Sequence, residues 1–276
     1  MRGQCIAGGA AMARSGSEDT LAQGSFVRVL RAEALKSRHG APVRLAIVLA
    51  LPFPLLAAFV ALSVPQFGLS YSPWNYWYAL LMPVSITLIA ATVANADARL
   101  GNHTLLSSGV PLHLAWGAKV AWCLALLLLS NLVVFAVYAV MSLVVPQGAA
   151  SMSAMLAVAL ALTVMGSWMI PATHFLTMRV GMLAGVFVPL AVQLALSLGW
   201  SVVPFWPACP PAATIVLPTA FLPVLPSGEP ASPGMALVES ISQGPDVALA
   251  LIVAAVLTAA LTAAGAMWLD RSEELR

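Results

Sequence analysis

The chain has 276 residues, of which 61% are hydrophobic and only 8% are charged, with a formal net charge of +2. An ordinary soluble domain carries roughly 25% charged residues to cover its surface, so this composition excludes a soluble globule. The sparse positive charge also gives no indication of a surface for nucleic acid. The composition predicts an all-α integral membrane protein.

Six apolar stretches predict six transmembrane helices. A bilayer core about 30 Å thick requires about 20 apolar residues per helix. We expect the spans near residues 45–63, 77–96, 119–145, 154–173, 181–200 and 247–269.

The positive residues predict the orientation of these spans. All 12 Lys and Arg residues fall in segments on one side, and the loops around 64–74, 146–153 and 201–246 contain none. Because cytoplasmic loops retain positive charge, we expect both termini inside the cell. Residues 1–24 are then a disordered cytoplasmic tail, with Met1 or Met12 as the start, and residues 25–276 form the transmembrane domain.

The first inner segment, Ser25 to His39, predicts a helix that lies in the membrane surface. Phe26, Leu30 and Ala34 share one face, and Arg28 and Arg31 lie elsewhere around the helix. Val29, Glu33 and Leu35 fall off their ideal faces, so a solvated basic leader is an equal alternative. In the span that follows, Pro52 and Pro54 predict a kink.

The second inner segment, Asp97 to Lys119, predicts a short helix across the membrane surface. Leu105 and Leu106 form its apolar face, and Pro111 is well placed to begin the third span. The alternative is a simple interfacial connector. Trp and Lys residues at span ends are typical headgroup anchors, and here these are Trp74, Trp77, Trp116 and Lys119.

Signatures of catalysis are missing from the sequence. It contains no phosphate-binding Gly-rich loop with Lys, no H-E-x-x-H and no CxxC. The four histidines lie on three cytoplasmic segments without a carboxylate or Cys at ligand spacing. We therefore expect no catalytic residue, no metal and no cofactor, and any ATP hydrolysis must come from a partner chain.

The last outer loop, residues 199–244, contains nine prolines among apolar residues. It is too broken for a span, yet too apolar for a free loop. Because backbone at membrane depth is tolerated only when buried in protein or lining a cavity, we expect a re-entrant hairpin near Ala212 to Leu225. A proline-rich outer cap packed on the spans is the alternative.

Several motifs of the chain belong together. They are Asn75 to Tyr78 with Met82-Pro83, Asp97 with Arg99, the stretch Gly101 to Leu106, Pro111, Trp116, Ala118-Lys119, Trp206 to Pro210 and Leu225 to Pro230. Together they resemble the permease subunits of lantibiotic-immunity ABC transporters, of the MutE/EpiE type within the ABC-2 superfamily. The resemblance covers roughly residues 25–276. Ser227 stands where the family usually has Asn, and the inner loops carry fewer basic residues than is usual.

The resemblance implies an interfacial helix, six spans, a coupling helix between the second and third spans, and short helices that dip into the membrane before the sixth. It implies a permease in the plasma membrane of a bacterium, paired with a second permease and driven by a cytosolic ATPase. The expected substrate is a lantibiotic peptide expelled from the membrane. The ATPase would contact Asp97, Arg99, Asn102, His103, Leu105, Leu106, Arg28 and Arg31.

Two other functions are compatible with the sequence. The first is a permease of the same class that exports a drug, a lipid or another small molecule. The second is a membrane scaffold or sensor subunit that transports nothing and binds no ATPase.

Overall fold

The computed structural model describes residues 26–38, 40–98, 111–232, 234–241 and 244–274. Within these ranges the chain is helical and contains no β-strand, which confirms the predicted all-α class. The predicted tail, residues 1–24, lies outside the described residues.

Ten helices follow one another along the described ranges. The helix α1 covers residues 26–37, and α2 (Ala41–Val48) and α3 (Pro52–Ser63) form one interrupted rod. The helix α4 is continuous over three pieces, Ser72–Tyr76, Trp77–Leu81 and Met82–Ala98. The remaining helices are α5 (Leu112–Val144), α6 (Met152–Arg179), α7 (Met182–Leu198), α8 (Pro210–Val216), α9 (Ala236–Ile241) and α10 (Gly244–Glu274).

Five of the helical rods are long and apolar enough to cross a membrane: Ala41–Ser63, Ser72–Ala96, Leu112–Val144, Met152–Arg179 and Pro245–Arg271. They coincide with five of the six predicted spans. The remaining predicted span is α7, which has 17 residues. At 1.5 Å per residue it is roughly 26 Å long, a little short of the hydrocarbon core.

Prolines account for three interruptions of the long helices. The predicted kink in the first rod is confirmed, since α2 ends at Val48 and α3 restarts at Pro52. In α4, Pro83 has no N–H for the preceding turn, and residues Trp77–Leu81 are wound as a π-helix. In α6, a turn at residues 167–168 precedes Pro171. Pro111 caps the start of α5, as predicted.

Helices α4 and α6 form the centre of the bundle. In their apolar stretches 61% and 67% of the residues are buried, whereas only 11% are buried in the apolar stretch of α10. An amide network joins the central helices. The Nε1 of Trp77 donates to Oδ1 of Asn131 at 3.1 Å, and Nδ2 of Asn131 donates to the Thr163 hydroxyl at 3.1 Å. These bonds link α4, α5 and α6 inside the apolar core.

A tight hairpin connects α6 to α7. Only Val180 and Gly181 separate the two helices, and Gly181 has a φ of 126°. One turn further, Gly185 lies so close to α6 that a Cβ atom there would overlap the Thr177 side chain and come within 3.0 Å of the Thr173 carbonyl oxygen. The Gly185 backbone therefore lies directly against the Thr177 side chain and the Thr173 carbonyl of α6.

The proline-rich loop returns into the bundle through α8, all of whose seven residues are buried. Ala213 and Leu217 pack in one apolar cluster with Met165 of α6 and Ala254 of α10. Met165 is the middle residue of the helix Met152–Arg179, so the loop reaches well past the helix ends. Around it, Nε2 of Gln193 donates to the Pro211 carbonyl at 3.4 Å.

Candidate functional site at the basic end of the bundle

One end of the bundle carries the positive charge. We call it the basic end. It is formed by α1, by the ends of α4, α6 and α10, and by the starts of α2, α5 and α7. Every Lys and Arg among the described residues belongs to it, namely Arg28, Arg31, Lys36, Arg38, Arg44, Lys119, Arg179 and Arg271. The other end, called the proline-rich end, carries Glu229, Glu239 and Asp246.

Helix α1 packs on the basic end with one face. The partly or fully buried residues recur every three or four positions: Phe26, Val29, Leu30, Glu33, Ala34 and Ser37. Arg28, Arg31, Lys36 and Arg38 are exposed. The sequence pattern predicted that Val29 and Glu33 lie off the apolar face. The structure corrects this, because both lie on the packed face with Phe26 and Leu30. The helix is thus more regularly amphipathic than its hydrophobic pattern indicates.

An ion pair explains why an acid lies on that face. The Nζ of Lys119 donates to Oε1 of Glu33 at 3.3 Å, and the two side chains are only 6% and 12% exposed. Lys119 belongs to the second turn of α5, and the neighbouring Gly117 lies under the Phe26 ring. Helix α1 is therefore held on the start of α5 by one apolar and one ionic contact.

The predicted ATPase-contact residues are only partly covered by the structure. Arg28 and Arg31 are both exposed, on the outward face of α1. The backbone of Asp97 continues α4, but its side chain lies outside the described residues, and so do Arg99, Asn102, His103, Leu105 and Leu106. The structure does describe the helix ends on either side of this segment, at Ala98 of α4 and Leu112 of α5.

The four predicted headgroup anchors are buried inside the chain, and the structure thus corrects their assignment. Trp74 and Trp77 are 0% exposed, Trp116 is 1% and Lys119 is 5%. Each has an internal contact: the Trp74 ring packs against the Tyr138 ring in a tilted arrangement with centroids 4.6 Å apart, and Trp116 donates through Nε1 to the Thr262 carbonyl at 3.0 Å. Trp77 and Lys119 are bound to Asn131 and Glu33 as described above.

At the proline-rich end, aromatic and amide groups hold the loops. The backbone N–H of Ala150 donates to the Tyr71 hydroxyl at 2.7 Å, and burial raises the pKa of this phenol above its ordinary value. The Nδ2 of Asn75 donates to the Tyr78 hydroxyl at 2.8 Å and to the Leu225 carbonyl at 3.3 Å. The start of α4 thereby fixes the turn that contains Gly228.

Two buried side chains near the basic end could suggest chemistry. The Sγ of Cys123 and Nε2 of His174 are 3.7 Å apart, and the Trp116 ring packs edge-on against the imidazole. Both residues are only 1% exposed, so no substrate reaches them in this arrangement. His113 lies elsewhere, 3.6 Å from Asp270. Within the described ranges, no three His, Cys, Asp or Glu residues are grouped as metal ligands.

A cavity of about 260 Å³ opens beside α1 at the basic end. Its lining residues come from α1, α2, α4 and α7, and they include Glu33, Lys36, Ser37, Asn95 and Met182. The sequence did not predict this cavity, because the residues that form it are up to 149 positions apart. Glu33, an acid on an apolar face, was a local signal for it. Asn131, a polar group inside an apolar run, was the local signal for the amide network.

Comparisons with known proteins give no relative: no family model, no curated protein and no solved structure matches the chain. The function is therefore inferred from the residues, their geometry and the resemblance of their motifs.

Proposed function

We propose that the chain is the membrane-spanning permease subunit of an ABC exporter, driven by a separate ATPase. The observation that carries this proposal is the Glu33–Lys119 ion pair, which fastens the surface helix α1 to the start of α5. The segment 99–110, where the ATPase is also expected to dock, leads directly into α5. Both proposed docking elements thus act on the same helix.

Force applied to the basic end would be passed on by these contacts. Arg28 and Arg31 are exposed, as a docking face requires, while the opposite face of α1 is seated on Gly117 and Lys119. ATP-driven closure of an ATPase dimer would push α1 and α5 together as a rigid body. The amide network from Asn131 to Trp77 and Thr163 would carry this motion to α4 and α6.

The proposed orientation places the basic end in the cytoplasm of a bacterium and the proline-rich end outside the plasma membrane. Its support is the separation of charge described above, because positive residues are retained on the cytoplasmic side. In this orientation α7 is the fifth of six spans, shortened but apolar. Helix α8, buried at the level of Met165, would be the re-entrant segment rather than part of an outer cap.

A second permease and a peptide substrate complete the proposal. Six helices form half of such a pathway, so a second permease chain would form the other half. The substrate is a cationic, lantibiotic-like peptide expelled from the membrane as self-immunity. The acidic residues Glu229, Glu239 and Asp246, together with the lack of any Lys or Arg among the described residues of that end, favour approach of a cation.

The decisive experiment purifies the chain with the ATPase encoded beside it and measures ATP turnover with and without a panel of lantibiotics. We expect turnover to rise with one peptide. The double variant Arg28→Glu/Arg31→Glu should lose the ATPase, because it reverses the charge of the exposed face of α1. Leu105→Asp should do the same through the adjoining segment.

The matched control is Arg179→Glu, which reverses an exposed basic residue at the end of α6 and should leave the ATPase bound. An ATPase that binds but ignores every lantibiotic would keep the exporter and point to a drug, lipid or other small molecule. Failure of the unmodified chain to bind any ATPase would contradict the transporter and leave a scaffold or sensor.

A further inference from the structure

The cavity at the basic end has an amphiphilic lining. Glu33 and Lys36 bring one negative and one positive charge, Ser37 and Asn95 add polar groups, and the remaining walls include Ala41, Pro42, Val93, Ala96 and Met182. Its volume of about 260 Å³ is below the roughly 300–1,000 Å³ of sites for drug-sized ligands. It therefore suits a small zwitterionic group better than a whole amphiphile.

A stripe of partly exposed side chains leads from this cavity along α4. Every residue from Met82 to Ala94 is buried except Val84, Leu88 and Thr92, and the stripe continues to Leu81 and Asn95 at its two ends. The 14-residue step from Leu81 to Asn95 measures roughly 21 Å. That length exceeds one leaflet of a hydrocarbon core about 30 Å thick.

The helices that flank the stripe are apolar on their exposed sides. Both α2 and α7 pack against α4 and line the cavity. Val48 of α2 is 61% exposed and Leu183 of α7 is 75% exposed. The polar cavity and the stripe that leads from it thus match the two parts of a phospholipid. The cavity corresponds to the charged headgroup and the stripe to an acyl chain.

We propose that this cavity binds the headgroup of an aminophospholipid from the leaflet on the basic side. The lipid phosphate lies beside the Lys36 ammonium, and the lipid ammonium lies beside Glu33. The carboxylate of Glu33 accepts from Lys119 through Oε1, and its second oxygen has further acceptor capacity. One acyl chain follows the stripe along α4. This binding does not depend on any transport activity.

The charges give the site a preference among lipids. A zwitterionic headgroup meets both Glu33 and Lys36, whereas a purely anionic headgroup carries the same phosphate but no ammonium to meet Glu33. Phosphatidylethanolamine should therefore bind more tightly than phosphatidylglycerol of the same acyl chains. We expect a ratio of about tenfold, which is what one charge-assisted hydrogen bond supplies.

Native mass spectrometry of the full chain, released from micelles that contain the two lipids in equal amounts, measures this ratio directly. Ala96→Phe should abolish the preference by filling the cavity, and Lys36→Ala should lower the retention of both lipids by removing the phosphate partner. The matched control is Arg179→Ala, which removes an exposed positive charge from the same end without touching the cavity. A thermal unfolding scan of each variant verifies that it is folded.

The ratio of the two lipids retained by the unmodified chain is enough to contradict the proposal. Equal retention of the two lipids would contradict a site that reads both charges. A preference that survives in Ala96→Phe, or retention that Lys36→Ala leaves unchanged, would place the binding elsewhere. If soluble phosphoethanolamine displaces the lipid at the same concentration as the lipid itself, the cavity binds a soluble zwitterion and the acyl chain along α4 plays no part.

Discussion

The indole ring of Trp116 lies directly against the backbone of Gly265, so that a Cβ atom at residue 265 would overlap the ring. Trp116 is buried, and its Nε1 donates to the Thr262 carbonyl on the same helix as Gly265. The ring cannot move aside without losing this bond. Gly265 is thus the point at which α10, the least buried of the long helices, is seated on α5.

Replacing this glycine tests the contact between α5 and α10. We expect Gly265→Leu to lower the free energy of unfolding by about 2 kcal/mol, the cost of overpacking a filled site. Denaturation with sodium dodecyl sulfate in mixed micelles measures it. Ala264→Leu adds the same side chain at an exposed position one residue earlier and should cost little. Equal losses in the two variants would contradict the contact.

A double-mutant cycle tests the pair Glu33 and Lys119. Removing one partner, as in Lys119→Met or Glu33→Gln, should cost about 3 kcal/mol, because a buried charge loses its counter-charge. The double variant should cost less than the sum of the two single variants. The same unfolding titration provides the coupling energy. Additive losses would mean that the two side chains do not interact.

The amide network around Asn131 predicts a smaller effect. Asn131→Leu leaves the Trp77 Nε1 without its acceptor and should destabilise the protein by about 1 kcal/mol, typical of a hydrogen bond between membrane helices. Thr163→Val is the comparison, since the Thr163 hydroxyl also donates to the Ala159 carbonyl within its own helix. If Thr163→Val proves the more damaging change, Asn131 is not the centre of the network.

A comparison of two glycines with positive φ separates the energetic cost of backbone strain from the cost of a side-chain contact. Gly228 has a φ of 90° and Gly234 a φ of 83°, but only at Gly228 would a Cβ atom approach Asn75, at 3.3 Å from Oδ1. Each change to Ala should cost about 1 kcal/mol for the left-handed backbone. Gly228→Ala should cost more in thermal unfolding, because it also disturbs Asn75. An equal or smaller loss at Gly228 would contradict that contact.

Much of the architecture could be predicted because apolar length and proline are local signals. The five long rods, the interruption before Pro52 and the start of α5 after Pro111 follow from them. Span length was less predictable at α7, where Gly181 and Gly199 bound a helix of 17 residues. No local pattern distinguishes such a helix from one that is three residues longer.

The packing of side chains depends on partners that are distant in sequence. In the sequence, Glu33 interrupts the apolar pattern of α1. The structure explains this acid, because Lys119, 86 positions later, lies opposite it. Trp77 has the composition and position of a headgroup anchor, yet its partner Asn131, 54 positions away, holds it in the core. A tryptophan at the end of an apolar run is compatible with both environments, and only the neighbouring helix decides between them.

The close approach of Gly185 to Thr173 and Thr177 restricts how the molecule can change shape. Because sliding would push the Gly185 backbone into Thr177 and the Thr173 carbonyl, we expect the parts of α6 and α7 that meet there to move together. Freedom to bend is left instead to the interrupted places, such as residues 49–51 between α2 and α3 and the turn at residues 167–168 of α6. Any switching of this bundle should thus turn about these interruptions and leave the contact of Gly185 with Thr173 and Thr177 unchanged.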